Sequence, residues 1–500
     1  MKQTTFLLCM FLSFAGMSQE PLFTIGSQRT MSAMGNPDAI TFRIGTNNYV
    51  LFQKYKMSEG MLLHLEGFTD PTNGYLCSQD ITTPHEPNEI AIFEGFAALS
   101  DKMFLFRSVF KKDEKKDILY AHLISEKGVI EAAGKEITSI VAEKAMNSGN
   151  FIIEASADGK SFVVLSEYPF VKETKEKFAV TVFDNALKQL WTKEIELQHD
   201  SRRGPVNEPV LSNSGIAYII KKVEGPKNAD FYTTYQISDK GAKVTEHVLE
   251  MEVPKKIVNY GYVVDEANSD LIVAGYYTED GKVTIGGTGF KGTFTARVSG
   301  SNSELKAKCI TAFEKTQSNL RVVKVMSIKA AAFLIGEVQY ENNIATEQKD
   351  SKGFAIYNRE FVANDIHVTV MDANGKTIST NILRKENKTI EDSGLGNSVA
   401  VAAVGEQVML VYNDYQYRHD GQEHKVVGPG LANLRVPVIQ FVGADGSMGV
   451  KFAMIDSNIG GKKGTVYLYP NVFVPITEKE FFFMSRGDAG TMHPIRMKLP

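Results

Sequence analysis

The chain has 500 residues, of which 43% are hydrophobic, 23% charged and 10% aromatic. This composition allows a large hydrophobic core without a membrane span, and it predicts a chain that is globular throughout. The formal net charge is only −4, and no basic stripe with interleaved aromatic residues is present. The charge pattern typical of nucleic-acid-binding proteins is therefore missing, which argues against nucleic acid as a partner.

The N-terminus has the features of a targeting segment. A short apolar run, Thr4–Phe14, follows a positively charged residue, and the small residues Gly16 and Ser18 follow in turn at the positions of a cleavage site. The run is too short to serve as a permanent membrane anchor. The sequence thus predicts a signal peptide over residues 1–18 and one exported domain over residues 19–500. We expect that domain in the periplasm, at the outer membrane or outside the cell, with no transmembrane segment.

The strongest pattern in the remaining chain is a short apolar run that recurs eight times, with starts 54 to 76 residues apart. Each copy is rich in β-branched or aromatic residues and follows a turn-forming residue, which is typical of a buried strand. A recurrence of this length indicates a repeat architecture. The eight runs are Tyr49–Phe52, Met103–Phe106, Phe162–Leu165, Ile216–Ile219, Leu271–Ala274, Ala332–Ile335, Val408–Val411 and Phe481–Met484.

Further strand candidates flank each run, which we designate strand B. The segments before it predict a strand A, and those after it predict a strand C that joins a more polar strand D through a hairpin turn. The strand A candidates include Ile90–Leu99, Asn150–Ala155, Tyr260–Val264, Val322–Ile328 and Val399–Val404. The candidates for C and D include Phe178–Phe183 with Leu190–Leu197, Tyr232–Ile237 with Lys243–Leu249, and His367–Met371 with Lys376–Leu383.

The last repeat is incomplete at its C-terminal end. It offers a strand A at Val466–Ile476, the strand B run and a strand C at His493–Leu499, and then the chain stops. Residues Pro21–Met31 precede the first strand A and have no other evident place. We therefore expect them to supply the missing strand D and to close the ring of repeats.

Four antiparallel strands in each repeat resemble the β-propeller repeat superfamily over essentially the whole mature chain. The resemblance implies an all-β, eight-bladed propeller, with seven blades as the alternative. No narrower family is indicated, because the Trp-Asp dipeptide and the double-glycine signature of two propeller subfamilies do not recur in register. Propellers commonly serve as binding scaffolds and less often as enzymes, so the fold alone does not decide the function.

Local motifs provide no catalytic residue, cofactor or metal site. Asp372-Ala373-Asn374-Gly375 resembles the start of a calcium loop, but no glutamate follows at EF-hand spacing, so a hairpin turn is the preferred interpretation. Asn387-Lys388-Thr389 fits an N-glycosylation sequon, which favours an exposed loop.

Loop length points to a binding surface. In a propeller, the B–C and D–A loops emerge on one face, and two neighbouring repeats have long B–C insertions, Glu341–Asn364 and Asn413–Arg435. Long loops on a rigid scaffold commonly carry recognition residues, and Tyr and Arg suit interfaces. We expect these insertions to bind a protein, peptide or glycan. The candidate binding residues are Tyr340, Tyr357, Arg359, Tyr412, Asp414, Tyr415, Tyr417, Arg418, His419, His424 and Asn433.

Three alternatives remain open at this point. Both insertions could be decoration without a partner. An exported hydrolase or lyase acting on polysaccharide would bring carboxylates from separate blades together around the channel mouth. A structural subunit of an envelope complex, rather than a monomer, would expose an apolar patch.

Overall fold

The computed structural model describes most of the chain after residue 20. The described residues are 21–26, 29–30, 39–56, 60–70, 72–84, 91–223, 231–249, 251, 255–279, 289–349, 351–390, 394, 396–419, 435–454, 458–459, 462–463, 467–486 and 491–500. The predicted signal peptide, residues 1–18, lies outside them. None of the helices within these ranges has the length and apolar character needed to cross a membrane.

Strands make up nearly all of the regular structure. In chain order they are β1 (Leu22–Ile25), β2 (Arg29–Thr30), β3 (Ile40–Ile44), β4 (Asn47–Lys56), β5 (Gly60–Thr69), β6 (Gly74–Ile81), β7 (Ala91–Leu99), β8 (Lys102–Lys111), β9 (Lys116–Ile124), β10 (Lys135–Val141), β11 (Asn150–Ala155), β12 (Ser161–Glu167), β13 (Lys175–Asp184), β14 (Gln189–Asp200), β15 (Val206–Leu211), β16 (Ala217–Val223), β17 (Phe231–Ser238), β18 (Lys243–Val248), β19 (Lys256–Asp265), β20 (Asp270–Thr278), β21 (Gly289–Val298), β22 (Leu305–Ser318), β23 (Leu320–Ile328), β24 (Ala331–Lys349), β25 (Ala355–Met371), β26 (Thr377–Ile390), β27 (Val399–Val404), β28 (Gln407–Tyr415), β29 (Arg435–Gly443), β30 (Met448–Ala453), β31 (Asn458–Ile459), β32 (Lys462–Lys463), β33 (Tyr467–Pro475), β34 (Glu480–Arg486) and β35 (Thr491–Lys498). Single 3-10 turns lie at Ala145–Asn147, Asp239–Gly241 and Gln416–Arg418.

The described strands form eight antiparallel blades, each with the strand order A-B-C-D. Blades one to seven are β3-β4-β5-β6, β7-β8-β9-β10, β11-β12-β13-β14, β15-β16-β17-β18, β19-β20-β21-β22, β23-β24-β25-β26 and β27-β28-β29-β30, and blade eight is β33-β34-β35-β1. Each of the eight predicted apolar runs lies in the second strand of its own blade, apart from Ile216, which immediately precedes β16. The protein is therefore an eight-bladed β-propeller, and the seven-bladed alternative is wrong.

The position of each strand within its blade explains its sequence pattern. The strand B β20 is covered on both faces by neighbouring blades, so all nine of its residues are buried and its sequence is continuously apolar at its centre. The strand D β14 lies at the rim, where one face meets solvent and charged residues alternate with buried ones such as Trp191 and Ile195. The sequence of a central strand is therefore a continuous apolar run, whereas polar and apolar residues alternate in the sequence of an edge strand.

Apolar layers between neighbouring blades hold the ring together. The buried hydrophobic residues fall into eight clusters, and each cluster joins the facing sides of two adjacent blades. Phe483 of blade eight packs with Phe441 of blade seven, whereas Phe482 packs with Val50 of blade one. Successive residues of one strand thus face opposite neighbours, as the pleat of a strand requires.

The N-terminal segment closes the ring, as the sequence predicts. The strand β1 pairs antiparallel with β35, with Leu22 opposite Lys498, and β2 pairs with β35 further along. Arg496 of blade eight forms ion pairs with Glu480 of its own blade and with Asp70 of blade one. Asp70 also binds Arg43 Nη2 at 2.9 Å, so charged groups as well as the apolar layer link the last blade to the first.

The Asp-Gly motif at residues 372–375 is a hairpin turn, as predicted. Asp372 Oδ1 accepts hydrogen bonds from the backbone amides of Asn374 and Lys376, both at 2.9 Å. Gly375 adopts a φ of 75°, which favours glycine. The aspartate therefore stabilises the link between strands C and D of blade six.

Replacing Phe483 by alanine tests the apolar layers. Because Phe483 is fully buried between blades seven and eight, Phe483→Ala should lower the free energy of unfolding by about 3–5 kcal/mol. Chemical denaturation of the variant measures this loss. Tyr357→Ala removes an exposed ring and is the control, for which we expect almost no loss. Equal stability of the two variants would contradict the packing described here.

Candidate functional site

The predicted long loop of blade six is instead an extension of its strands. The strands β24 and β25 continue to pair beyond the blade as a hairpin, with Ile344 opposite Asn358 and Lys349 opposite Ala355. The length of the segment Glu341–Asn364 predicts a long B–C loop, whereas most of its residues pair across the two strands. We refer to the projecting part, residues 341–360, as the arm.

The arm exposes apolar side chains on a projecting element. Phe354 is 68% exposed and Tyr357 is 59% exposed, and Ile344 and Ile356 are also exposed. The guanidinium of Arg359 lies 5.4 Å from the centre of the Phe361 ring, in a cation–π contact. Of the predicted arm residues, Tyr357 and Arg359 are therefore on the surface, whereas Tyr340 is partly buried at its base.

A buried ion pair anchors the base of the arm. The side chains of Lys385 and Glu337 are both fully buried and form an ion pair, and Lys385 also donates to the carbonyl of Asn397. The sequon residue Asn387 is buried too, and its amide donates to the carbonyl of Gly396 at 3.0 Å. The expectation that the sequon marks an exposed loop is therefore wrong, because Asn387 lies within β26.

Asp414 organises the neighbouring surface on blade seven. Its fully buried carboxylate accepts hydrogen bonds from the backbone amides of Tyr415 at 2.9 Å and Glu386 at 3.1 Å. Asp414 Oδ2 also lies 2.9 Å from His419 Nε2 and 3.3 Å from Arg418 Nε. A single carboxylate therefore fixes the backbone and two side chains where the chain leaves β28.

Aromatic and arginine side chains cover this anchor. The rings of Tyr415 and Tyr417 stack with their centres 5.3 Å apart, and Arg435 lies 4.7 Å from the centre of the Tyr415 ring. Arg435 Nη2 also donates to the Tyr415 hydroxyl at 3.2 Å and contacts the carbonyl of Lys388. Partial burial raises the pKa of Tyr417, so its hydroxyl stays protonated at neutral pH.

These contacts join blade seven to the strand at the base of the arm. Glu386 of β26 donates its amide to Asp414, and its carboxylate lies 3.8 Å from Arg418 Nη1. The structure therefore brings most of the predicted blade-seven residues together in one cluster: Asp414, Tyr415, Tyr417, Arg418 and His419. Tyr412 instead lies in the apolar layer between blades six and seven. His424 and Asn433 lie outside the described residues.

We define the arm surface as the arm together with Tyr415, Tyr417 and Arg418.

Replacing Asp414 by asparagine tests how the blade-seven part of the arm surface is held in place. Asp414→Asn keeps the shape of the side chain but removes the charge that binds Arg418, so we expect a loss of about 2 kcal/mol in unfolding free energy. Chemical denaturation measures it, with Asp113→Asn in an exposed turn as the control. A stability equal to that of the control would show that the carboxylate does not organise this surface.

Sequence reasoning missed a group of polar residues on the A strands, which line the central channel. Burial raises the pKa of Glu154 to about 7, although water still reaches its carboxyl group. Burial also raises the pKa of Glu208, whose carboxylate accepts a hydrogen bond from Tyr260. Burial, followed by the charges of Glu208 and Glu154, raises the pKa of Tyr262 in blade five, so side chains from three blades lie near one another here.

A lysine lies on a further A strand. Burial lowers the pKa of Lys324 in β23, and its ammonium group lies 3.4 Å from the carbonyl of Val401 in the next blade. A charged residue within an otherwise apolar strand A was the available sequence signal. It could be interpreted only once eight A strands were known to surround one axis.

A groove of about 850 Å³ lies at the rim, where blade three meets the loop that follows β10. Its volume falls in the range of small-ligand sites. Several of its polar and charged lining residues already have partners, however: Lys177 pairs with Glu196 at 2.7 Å, and the Tyr168 hydroxyl bonds to Glu194 at 3.0 Å. These groups are already satisfied, which makes the groove a weaker candidate than the arm surface.

No protein-family model matches the sequence, and no curated protein matches it. Three solved structures align over most of the chain. The β-propeller domain of the Trilobed protease from Pyrococcus furiosus is 10% identical, with 84% of this chain and 96% of that chain covered and a TM-score of 0.36. The WD40 domain of SCAP from fission yeast is 7% identical, with 97% of each chain covered and a TM-score of 0.37.

The third structure is the Bacteroides ovatus Xyloglucan PUL GH43B, which is 11% identical, with 95% of this chain and 96% of that chain covered and a TM-score of 0.25. All three TM-scores lie below 0.5. The architecture therefore rests on the strand pairing of this chain, and no ligand or activity is transferred from these proteins.

Proposed function

We propose that the protein is an exported binding module that captures a protein partner through the arm surface. The observation that carries this proposal is the hairpin that projects from blade six with apolar side chains in solvent. Phe354, Tyr357 and Ile356 are exposed there. Exposed apolar groups concentrated on one element favour association with another macromolecule.

The shape of the arm favours a protein over a small glycan or a single sugar unit. Small ligands bind in concave sites that surround them, whereas the arm is convex and two strands wide beyond the end of β26. The strand β24 pairs with β23 as far as Val338. Beyond that residue, β24 pairs only with β25 among the described strands. An open strand edge can add a strand from a partner, with side-chain contacts giving specificity.

The adjoining cluster on blade seven adds polar recognition. Tyr415, Tyr417 and Arg418 are partly exposed. Asp414 binds the Tyr415 amide and Arg418, and Tyr417 stacks on Tyr415, so the three side chains are positioned before a partner arrives. Groups that are fixed in advance lose less conformational entropy on binding. The arm would thus supply apolar contact, and blade seven would supply oriented hydrogen-bond donors.

Shortening the arm tests this proposal. Residues 343–359 are replaced by Asn-Gly, which joins Asn342 to Glu360 through a two-residue turn, because these residues lie opposite each other. A partner is first identified by pull-down with the intact protein from its native envelope. The shortened protein should bind that partner about 100-fold more weakly, or not at all, in a direct affinity measurement.

Two controls distinguish lost binding from lost folding. The shortened protein should keep its midpoint of thermal unfolding, since the arm contributes nothing to the eight apolar layers. Ile378→Ala removes an exposed side chain from the same blade outside the arm and should leave the affinity unchanged. Full affinity of the shortened protein would rule out the arm as the binding element.

A second candidate function is cleavage of a polysaccharide in the channel, by hydrolysis or by a lyase reaction. The glutamates in the channel favour it. A general acid works best when its pKa lies near the working pH, and the pKa of Glu154 is about 7. Glu208 and the tyrosines of β19 supply further polar groups. In hydrolysis, protonated Glu154 would donate a proton to the leaving-group oxygen as the glycosidic bond breaks, and a water molecule that loses a proton to the Glu208 carboxylate would form the new bond to the sugar carbon.

The enzymatic candidate predicts a defined pH dependence. Because the acid must be protonated, activity should fall as the pH rises through about 7. Glu154→Gln should reduce the turnover of a cleaved polysaccharide about 100-fold or more and should abolish that alkaline limb. Glu136→Gln, on the exposed edge of blade two, is the matched control. Wild-type turnover by Glu154→Gln, or no cleavage of any tested polysaccharide by the intact protein, would exclude this candidate.

A further inference from the structure

One positive charge in the channel has no counter-ion within the described part of the chain. Water reaches the side chain of Lys324 on β23, and its ammonium group donates a long hydrogen bond to the carbonyl of Val401, at 3.4 Å. Burial lowers the pKa of Lys324, and no carboxylate of the described residues contributes to that shift. A partly dehydrated charge is stabilised by an opposite charge, so this place in the channel suits an anion.

A local irregularity directs Lys324 towards blade seven. The pairing of β23 with β24 shifts between Val322 and Lys324, so Val323 is the additional residue of a β-bulge. Val322 packs in the apolar layer shared with blade five, whereas Val323 packs in the layer shared with blade seven. The bulge thus turns two consecutive side chains, Val323 and Lys324, to the same side. The ammonium group therefore reaches β27, the A strand of blade seven.

The strand β27 offers backbone donors beside this ammonium group. Among the described strands it pairs only with β28, so its channel edge keeps free amides and carbonyls. Val404 lies opposite Gln407 across a two-residue turn, and such a pair exchanges backbone hydrogen bonds. Every second residue repeats this pattern, so Val401 and Ala403 point their amides to the free edge, where Lys324 meets the Val401 carbonyl. Free amides at a sheet edge are suited to bind anions.

The charges in the channel favour a carboxylate over a phosphate. Lys324 supplies one positive charge, whereas Glu154 and Glu208 on the A strands of blades three and four are acids. Lys324 does not contribute to the raised pKa of Glu154, and Glu154 does not contribute to the lowered pKa of Lys324, so the two groups do not neutralise each other. One ammonium group matches a singly charged carboxylate, while the acids would repel a second negative charge.

We propose that Lys324 and the backbone amides of Val401 and Ala403 bind the carboxylate of an acidic sugar of the uronic acid type. The hydroxyls of a sugar ring would find hydrogen-bond partners in Glu208 and in the tyrosines of β19. This inference rests on the second candidate function for the ligand being a sugar, but it does not require that the protein cleaves that sugar. It names an acidic polysaccharide as the ligand class of the channel.

Two monosaccharides that differ in one group test the site. Glucuronate carries a carboxylate where glucose carries a hydroxymethyl group, and it has no glycosidic bond, so its binding is measured without any cleavage. Isothermal titration of the intact protein with sodium glucuronate should show one molecule bound per chain, with a dissociation constant of about 1 mM. Glucose should bind at least about tenfold more weakly, because it forms no charge-assisted hydrogen bond.

Removing the charge should remove the preference for glucuronate. Lys324→Met keeps a side chain of similar length without the ammonium group, so it should bind glucuronate at least about tenfold more weakly. Its midpoint of thermal unfolding should not fall, since the variant loses a partly dehydrated charge. Lys376→Met, which removes an exposed lysine from a turn of the same blade, should bind glucuronate like the intact protein.

The intact protein decides the outcome even if Lys324→Met fails to fold. No binding of glucuronate by the folded wild-type chain at concentrations up to about 50 mM would overturn the inference. So would equal affinities for glucuronate and glucose, tighter binding of inorganic phosphate than of glucuronate, or unchanged affinity in folded Lys324→Met. Polysaccharide cleavage that depends on Glu154, without binding of glucuronate, would keep the second candidate function and overturn this inference alone.

Discussion

Every feature of this molecule depends on the apolar layers between blades. A single four-stranded sheet has two hydrophobic faces and cannot bury either of them alone. Each blade therefore needs a neighbour on both sides, and a row of blades becomes stable only when its last face meets its first. The pair Phe482 and Phe483 shows this requirement within one strand, since they pack toward opposite neighbours. Closing the ring leaves no unpaired face.

Ring closure also determines where function can lie. The blades bury most of their large apolar residues in the layers between them, so polar groups at the channel and apolar groups on a projecting element need an explanation. Glu154 and Lys324 on the channel strands, and the apolar tip of the arm around Phe354, are exceptions of this kind. Within the described residues, the arm surface and the channel acids are consequently two places where chemistry or recognition departs from the demands of packing.

The fold could be predicted from the sequence because strand B is buried on both faces in every blade. A strand in that position must be continuously apolar, and eight such runs with turns before them favoured eight blades, although seven blades remained the alternative until the strand pairing was known. The missing final strand also predicted closure by the N-terminal segment, because a blade without strand D leaves strand C unpaired. These inferences needed only local patterns and a count.

The candidate sites could be predicted only in part. Length alone identified the insertions of blades six and seven, but polar residues in 341–360 concealed that the first one is a paired hairpin. Tyr412 was assigned to a loop, although β28 continues through it and buries its ring. The acids of the channel, Glu154 and Glu208, come from different blades, so no spacing in the sequence indicates them. Such sites become visible only when the repeats are arranged around one axis.

A designed disulfide tests closure of the ring most directly. Leu22 and Lys498 lie opposite each other in β1 and β35, so Leu22→Cys with Lys498→Cys, in a Cys309→Ser background, should form a disulfide under mild oxidation. Mass spectrometry of the digested protein should then find the N-terminal peptide linked to the C-terminal peptide, and the unfolding midpoint should rise. Two peptides that stay separate in a folded protein would contradict a ring closed by its own N-terminal strand.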